Sequence, residues 1–221
     1  MKQSLLLLYF LVLPGFSWAQ ITAAEALNRL KTGNERFYLG KAQRPNQSPE
    51  RVKALAGGQN PFAIIVGCSD SRVPNEIIFD QGLGDLFIVR TAGQVSTFAS
   101  WGSIEFANAV LGAKLIVVLG HTECGAVAAA CKVPDVPGHI VTLINAIKPA
   151  AEASAHQSGN RIHNAVRANV AMQVAQLKSL EPVLSKAVAS GNTQIIGAVY
   201  HLSDGRVEFL PDNYLNTIPK P

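Results

Sequence analysis

Four short apolar runs, each rich in Ile and Val, recur along the chain and set its fold class. They occupy residues 61–67, 85–90, 114–120 and 193–200. Stretches with helical spacing separate them, notably 98–111 and about 160–190. Near-continuous apolar strands that alternate with helices indicate a parallel sheet covered on both faces. The sequence therefore predicts an α/β fold with a mainly parallel, four-stranded β-sheet and flanking helices.

Further elements are predicted at the two ends of this sheet. A capping-box pattern from Thr22 to Glu25 predicts a helix that runs to about Tyr38 and forms an N-terminal helical arm. Pro49 stands where a second, short helix would begin. Residues 205–210 follow a turn sequence and are expected to add an antiparallel edge strand. Because the arm has little of its own domain to cover, we expect it to pack on another subunit.

The first 19 residues have the composition of a secretory signal peptide. Lys2 precedes a short apolar run, Pro14 and Gly15 end it, and small residues follow up to Ala19. An uncleaved membrane anchor is the alternative, but the apolar run is too short to span a bilayer. We therefore expect a mature chain of one domain, residues 20–221, that begins near Gln20 and lies in the periplasm.

Charge and cysteine content exclude several classes of protein. The formal net charge is +4, and the basic residues are scattered rather than clustered as a nucleic-acid interface requires. The three cysteines, Cys68, Cys124 and Cys131, are too few for a disulfide scaffold, and an odd number cannot all pair. A disulfide between Cys68 and Cys124 remains an alternative. It would leave the polar residues beside them unexplained.

Two short motifs follow two of the apolar runs. Cys68 begins the sequence C-S-D-S-R after the first run, and His121 begins H-T-E-C after the third. Sites in open α/β sheets form outside the carboxyl ends of the strands, so neighbouring strands would bring the two motifs together. Cys68, His121 and Cys124 would then offer two thiolates and one imidazole. Zinc favours this donor set, and three protein ligands leave a fourth position open for chemistry.

Asp70 and Arg72 lie directly beside this predicted ligand group. A guanidinium next to a carboxylate favours a bidentate pair and keeps the acid ionised. An Asp70 turned toward Arg72 could accept a hydrogen bond from a metal-bound water instead of binding the metal. Two alternatives remain: Asp70 as a fourth metal ligand, and an ordinary surface ion pair of little energetic value.

These motifs resemble those of the β-class carbonic anhydrases. The matching segments are C-S-D-S-R-V at 68–73, V-R-x-A-G at 89–93, S-I-E-F-A at 103–107 and G-H-T-E-C-G at 120–125. The resemblance implies a lyase that interconverts carbon dioxide and bicarbonate. Its one Zn²⁺ per subunit would be bound by Cys68, His121 and Cys124. Asp70 and Arg72 would orient a zinc-bound hydroxide, and the subunits would form a homodimer or homotetramer.

The resemblance also implies a substrate pocket. Gln59 stands where plant-like members have a glutamine that binds substrate, and Phe87 and Phe106 match apolar pocket positions. Gly125 would offer a backbone N–H near the substrate. Ile65 occupies the position of a tryptophan that a bicarbonate-regulated branch requires. The chain is therefore expected to have the open, plant-like pocket rather than the regulated one.

Two other functions remain open at this point. The ligand group could belong to a zinc-binding module without catalysis, although such a module has no need of the Asp70–Arg72 pair or of Gln59. The same scaffold could also hydrolyse carbon disulfide or carbonyl sulfide, which the sequence does not exclude. No nucleic-acid partner is expected, and no membrane partner after cleavage of the leader.

Overall fold

A five-stranded sheet forms the centre of the computed structural model, which describes residues 21–132 and 136–216. The strands are β1 (Ala63–Cys68), β2 (Leu86–Thr91), β3 (Leu115–His121), β4 (Gln194–Tyr200) and β5 (Val207–Phe209). Their order across the sheet is β2-β1-β3-β4-β5. The first four are parallel, and β5 pairs antiparallel to β4. The predicted α/β fold, with four parallel strands and an antiparallel edge, is confirmed.

Helices cover both faces of this sheet. They are α1 (Ala23–Tyr38), α2 (Pro49–Leu55), α3 (Asn75–Ile78), α4 (Phe98–Ala109), α5 (Gly125–Lys132), α6 (Ile140–Ala153), α7 (Arg161–Lys178), α8 (Leu184–Ala189) and α9 (Asp212–Leu215), with a 3₁₀ turn at Ala92–Gln94. In β1, Ile64 and Val66 pack toward α4–α7, whereas Ala63 and Ile65 pack toward α1 and α3. Because both faces of the central strands are buried, their sequences are continuously apolar rather than alternating.

The position of β1 beside β3 sets the location of the site. The two strands are parallel, and Gly67 of β1 pairs with Leu119 of β3. Cys68 and His121 are the last residues of their strands. Both therefore lie at the carboxyl edge of the sheet, on neighbouring strands, as the two motifs require.

Helix α1 packs on the sheet of its own subunit, so the premise that the arm has little of its own domain to cover was wrong; its packing on another subunit stays a prediction. Ala26 and Leu30 are buried against the sheet face that carries Ile65. The buried Asn34 donates hydrogen bonds to the carbonyls of Ile78 and Gly205, each at 2.9 Å. These contacts anchor the arm to α3 and to the turn before β5.

The other predictions along the chain had mixed outcomes. Helices α1, α2 and α4 begin where the sequence indicated, but the predicted helix at about 160–190 is divided into α7 and α8. The predicted leader at residues 1–19 lies outside the described residues. Within 21–132 and 136–216, no helix has the length and apolar character needed to cross a membrane.

Candidate metal centre and active site

Three buried side chains converge at the carboxyl edge of the sheet. The ligand atoms of Cys68, His121 and Cys124 lie within 4.8 Å of one another, and both cysteines are free thiols. His121 Nε2 is fully buried and has no hydrogen-bond partner among the described residues. An orphaned buried nitrogen is costly, and a metal ion would satisfy it. Two sulfurs and one imidazole nitrogen suit zinc, so these residues fit the predicted ion.

The turn after β3 orients the imidazole. His121 Nδ1 lies 2.8 Å from the carbonyl of Thr122, which assigns the proton to Nδ1 and leaves Nε2 free as a ligand. The Thr122 amide donates to Tyr200 O at 2.9 Å, so the turn is tied to β4. Glu123 has a φ of 54°, the left-handed conformation that turns the chain so tightly that Cys124 returns to the imidazole.

Arg90 holds the loop after β1 from the neighbouring strand. Its Nε donates to the carbonyl of Cys68 at 2.8 Å, and its Nη2 donates to the carbonyl of Asp70 at 2.6 Å. The Ser69 amide also donates to Thr91 O at 3.0 Å. Arg90 was not among the predicted site residues. Its contacts depend on the pairing of β2 with β1, and this strand order was the missing signal.

Asp70 and Arg72 form the predicted bidentate pair. Arg72 Nε and Nη2 donate to the two carboxylate oxygens of Asp70 at 3.0 and 2.8 Å. These hydrogen bonds hold the pKa of Asp70 well below its usual range and outweigh the opposing effect of burial. Asp70 Oδ2 also lies 3.7 Å from His121 Nε2. An ionised carboxylate therefore faces the point where the ligand atoms converge.

The pKa values of the two adjacent thiols shift in opposite directions. The hydrogen bond from Cys124 lowers the pKa of Cys68, whereas the same contact, together with burial, raises the pKa of Cys124. Two adjacent buried thiolates repel each other, so the second proton leaves only when a cation compensates the charge. The electrostatics of the pair thus favour occupation by a divalent metal.

The four predicted pocket residues lie in different parts of the structure. Gly125 begins α5 directly after Cys124 and has open space where a side chain would be. Gln59 precedes β1, and Phe87 pairs with Ile64 near the start of that strand. At roughly 3.3 Å per residue, the start of β1 lies about 16 Å from Cys68. Within one chain, Gln59 therefore lies at the amino ends of the strands, opposite the carboxyl ends that carry the candidate metal ligands.

Phe106 is also directed away from the interior of its own chain. Its side chain is 47% exposed on α4. The predicted roles of Gln59, Phe87 and Phe106 in substrate binding stay predictions. For Gln59 to act at a metal centre, that centre would have to belong to a second copy of the chain.

Comparison with known proteins identifies the family. The family model described as carbonic anhydrase matches residues 63–207, which include all three candidate ligands. Carbonic anhydrase 2 of Mycobacterium tuberculosis is 45% identical over 185 residues, covering 82% of this chain and 89% of that protein. The chain belongs to the β-class carbonic anhydrase family. A carbonic anhydrase of Mycolicibacterium smegmatis is 43% identical, covering 83% of this chain and 91% of its own length.

Solved structures of the family share the fold. A tetrameric β-carbonic anhydrase of Sordaria macrospora superposes with a TM-score of 0.68 at 26% identity, covering 84% of this chain and 97% of that one. A β-carbonic anhydrase of Aspergillus fumigatus gives 0.64 at 29% identity, covering 88% and 95%. The similarity thus spans nearly the full length of these relatives. The chain is an enzyme of the carbonic anhydrase family.

Proposed function

We propose that this carbonic anhydrase family member catalyses the reversible hydration of carbon dioxide to bicarbonate and a proton, with one zinc ion per subunit. The observation that carries the proposal is the buried group of Cys68, His121 and Cys124 with an ionised Asp70 facing it. A structural zinc site uses four protein ligands and has no need of an oriented carboxylate. The convergence of three ligands and one acid therefore favours catalysis over a non-catalytic module.

Each residue has a separate role in this proposal. Zinc held by the three ligands would supply a Lewis acid that makes water nucleophilic near neutral pH. Asp70 accepts a hydrogen bond from the attacking water and so fixes the direction of its lone pair. Arg72 occupies both carboxylate oxygens of Asp70, which keeps that group ionised and restrains it from binding the metal itself. This arrangement supports the open, plant-like site.

We further propose that the active site is completed in a homodimer or homotetramer. The location of Gln59 at the far edge of its own sheet supports this. So does an apolar face formed by α4 and its C-terminal cap residue Val110, where the side chains of Phe98, Phe106 and Val110 are 85%, 47% and 66% exposed. Exposed apolar residues grouped on one helix commonly mark an interface. In this assembly, Gln59 and Phe106 of one copy would line the pocket of the other.

The proposed location is the periplasm, and it rests on the leader-like sequence of residues 1–19. The full-length gene product, recovered from cell fractions, tests both location and function in one preparation. We expect periplasmic protein that begins near Gln20. Recovery from the cytoplasm with an intact leader would overturn the location alone.

The function is tested by stopped-flow measurement of carbon dioxide hydration on protein whose zinc content is known. We expect about one zinc per chain and rapid hydration that persists at pH 7, because Asp70 is held by Arg72. Zinc-loaded protein without hydration activity at pH 8–9 would refute the proposed function. Hydrolysis of carbon disulfide in its place would reassign the substrate. Activity that rises only above pH 8 would reject the open site and keep the reaction.

A further inference from the structure

A fully buried asparagine on α7 is linked to one of the candidate metal ligands through a single residue. Asn169 is 0% exposed and is flanked on its helix by the apolar residues Ala168 and Val170. A buried amide is costly unless it forms a hydrogen bond. Its Nδ2 donates to the carbonyl of Gly93 at 3.0 Å, and its Oδ1 has no partner among the described residues. The Nδ2 contact is therefore the hydrogen bond that offsets the burial of this side chain.

Gly93, the residue that Asn169 holds, contacts a metal ligand. The Gly93 amide donates a hydrogen bond to Cys68 Sγ at 3.2 Å. Gly93 has a φ of 66°, and a Cβ at this position would lie 2.6 Å from Ile147 Cδ1 and 3.2 Å from Ala126 Cβ. Only glycine fits this tight, left-handed corner. The orientation of its N–H is set by the surrounding packing and by the hydrogen bond from Asn169.

A hydrogen bond to a thiolate changes how much charge that sulfur donates to a bound metal. An N–H directed at the sulfur stabilises its lone pairs, so the ligand donates less charge and the metal stays a stronger Lewis acid. This matters here because two of the three ligands are thiolates, which reduce Lewis acidity more than imidazole does. Asn169 acts on Cys68 only through Gly93, so it does not itself touch the reacting atoms.

We propose that Asn169 is a positioning residue for the metal centre. By holding the Gly93 carbonyl, on the other side of the Cα from the N–H, it restrains the backbone of Gly93 and so directs the Gly93 N–H at Cys68 Sγ. This hydrogen bond limits the charge that the thiolate donates to the metal. The proposal rests on the metal centre of the proposed function but not on its substrate. A purely structural Asn169 would tie α7 to the 3₁₀ turn without any effect on the ligand's electronic state.

The chain offers a matched control on the same helix. Gln173 lies one turn after Asn169 and is also buried, and its Oε1 accepts from Ser96 N at 3.2 Å and from Ser96 Oγ at 2.8 Å. Asn169→Leu and Gln173→Leu each remove a buried amide between α7 and the segment after β2. Only the first removes the link to Cys68.

The test is the absorption spectrum of the full-length enzyme with Co²⁺ in place of zinc. In Asn169→Leu, we expect the sulfur-to-cobalt charge-transfer band to move to longer wavelength, because a thiolate without its hydrogen bond is easier to oxidise. The band of Gln173→Leu should stay at the wild-type wavelength. If Asn169→Leu does not fold and bind cobalt, Asn169→Ala, which removes the donor without adding a charge or a larger side chain, should show the same shift.

The outcomes separate this inference from the proposed function. An unshifted band in a folded, cobalt-loaded Asn169 variant would overturn the positioning role, as would an equal shift in Gln173→Leu. A wild-type protein without a charge-transfer band would overturn it too, since the metal centre would be absent. A wild type with the band but without carbon dioxide hydration would refute only the proposed reaction.

Discussion

At the scale of single residues, the pair of Asp70 and Arg72 is the feature on which the proposed catalysis most directly depends. We expect Asp70→Asn to lower kcat/KM for carbon dioxide hydration by about 10²–10⁴-fold, because a neutral amide orients the attacking water less well. Zinc should be retained, since Asp70 is not one of the three candidate ligands. Stopped-flow hydration on zinc-quantified protein measures both quantities.

The chain contains a second Asp-x-Arg segment that serves as a control. Arg206 N donates to Asp204 Oδ1 at 3.0 Å, as Arg72 N does to Asp70 Oδ1 at 2.9 Å. This second pair lies in the turn before β5, where Arg206 stacks on Tyr38. Asp204→Asn should therefore hydrate carbon dioxide as fast as the wild type. Equal rates for the Asp70 and Asp204 variants would show that the Asp70–Arg72 pair has no catalytic role.

The site could be predicted from sequence where its residues are close together along the chain. Asp70 and Arg72 are two residues apart, and a short turn joins His121 to Cys124, so local spacing sufficed. Joining these motifs to Cys68 needed only the assumption that two strands are neighbours. The N–H of Gly93 could not be foreseen, because no side chain marks a backbone donor and its direction depends on packing against α5, α6 and α7.

At the scale of secondary structure, Asp80 is the anchor between the end of α1 and the segment after α3. Its carboxylate accepts from Arg36 Nε, from the Gln43 amide at 3.0 Å and from the Arg44 amide at 2.8 Å. Burial raises the pKa of Asp80, but these donors outweigh it and the net shift is downward. The folded-state pKa thus lies below the unfolded value of about 3.9, so the stabilisation is present above that pH and is lost as pH falls through the folded-state pKa.

We therefore expect Asp80→Asn to lower the free energy of unfolding by about 1–3 kcal/mol at pH 7. The difference from wild type should shrink as the pH falls below about 4, where Asp80 becomes protonated in the unfolded chain, and should be smallest below the folded-state pKa. Urea unfolding of both proteins at pH 7 and at a pH below about 4 measures this difference in the free energy of unfolding. Glu76→Gln, on the exposed side of α3, controls for the loss of an acid. A difference that is constant with pH would rule out a role for the charge of Asp80.

The elements that the sequence failed to predict have physical reasons for their weak signals. Helix α6 exposes Ile140 and Val141 and contains Pro149, so its pattern is not that of an ordinary amphipathic helix. Between α7 and α8, Pro182 lacks an amide hydrogen and restricts the residue before it, which interrupts helical periodicity. The buried strands were predictable because burial on both faces leaves them uniformly apolar.

At the scale of the whole molecule, the parallel sheet separates the two halves of the proposed pocket. Its carboxyl edge carries Cys68 and His121, whereas Gln59 precedes β1 at the amino edge. No change in side-chain conformation can cover a distance of about 16 Å, the length of β1. If Gln59 binds substrate, two copies must be arranged so that the amino edge of one approaches the carboxyl edge of the other. Activity and assembly should then be coupled.

The apolar face of α4 provides the variant that tests this coupling. Gly102 lies on the same i, i+4 row as Phe98, Phe106 and Val110, and a Cβ there would meet no neighbouring atom within 4 Å in the described part of its own chain. Gly102→Glu should therefore leave the subunit folded while it places a charge in the proposed interface. We expect the dissociation constant to rise at least tenfold, equivalent to about 1.4 kcal/mol. Hydration per subunit should fall as the protein is diluted.

Sedimentation velocity and stopped-flow hydration, measured over the same concentration range, test both effects together. Ala189→Glu, at an exposed position of α8, should keep the wild-type assembly and rate. Dissociation should lower activity because each metal centre would then lose the Gln59 and Phe106 of its neighbour. A monomeric Gly102→Glu variant with full activity would show that one chain forms a complete site, and a monomeric wild type would refute the proposed assembly.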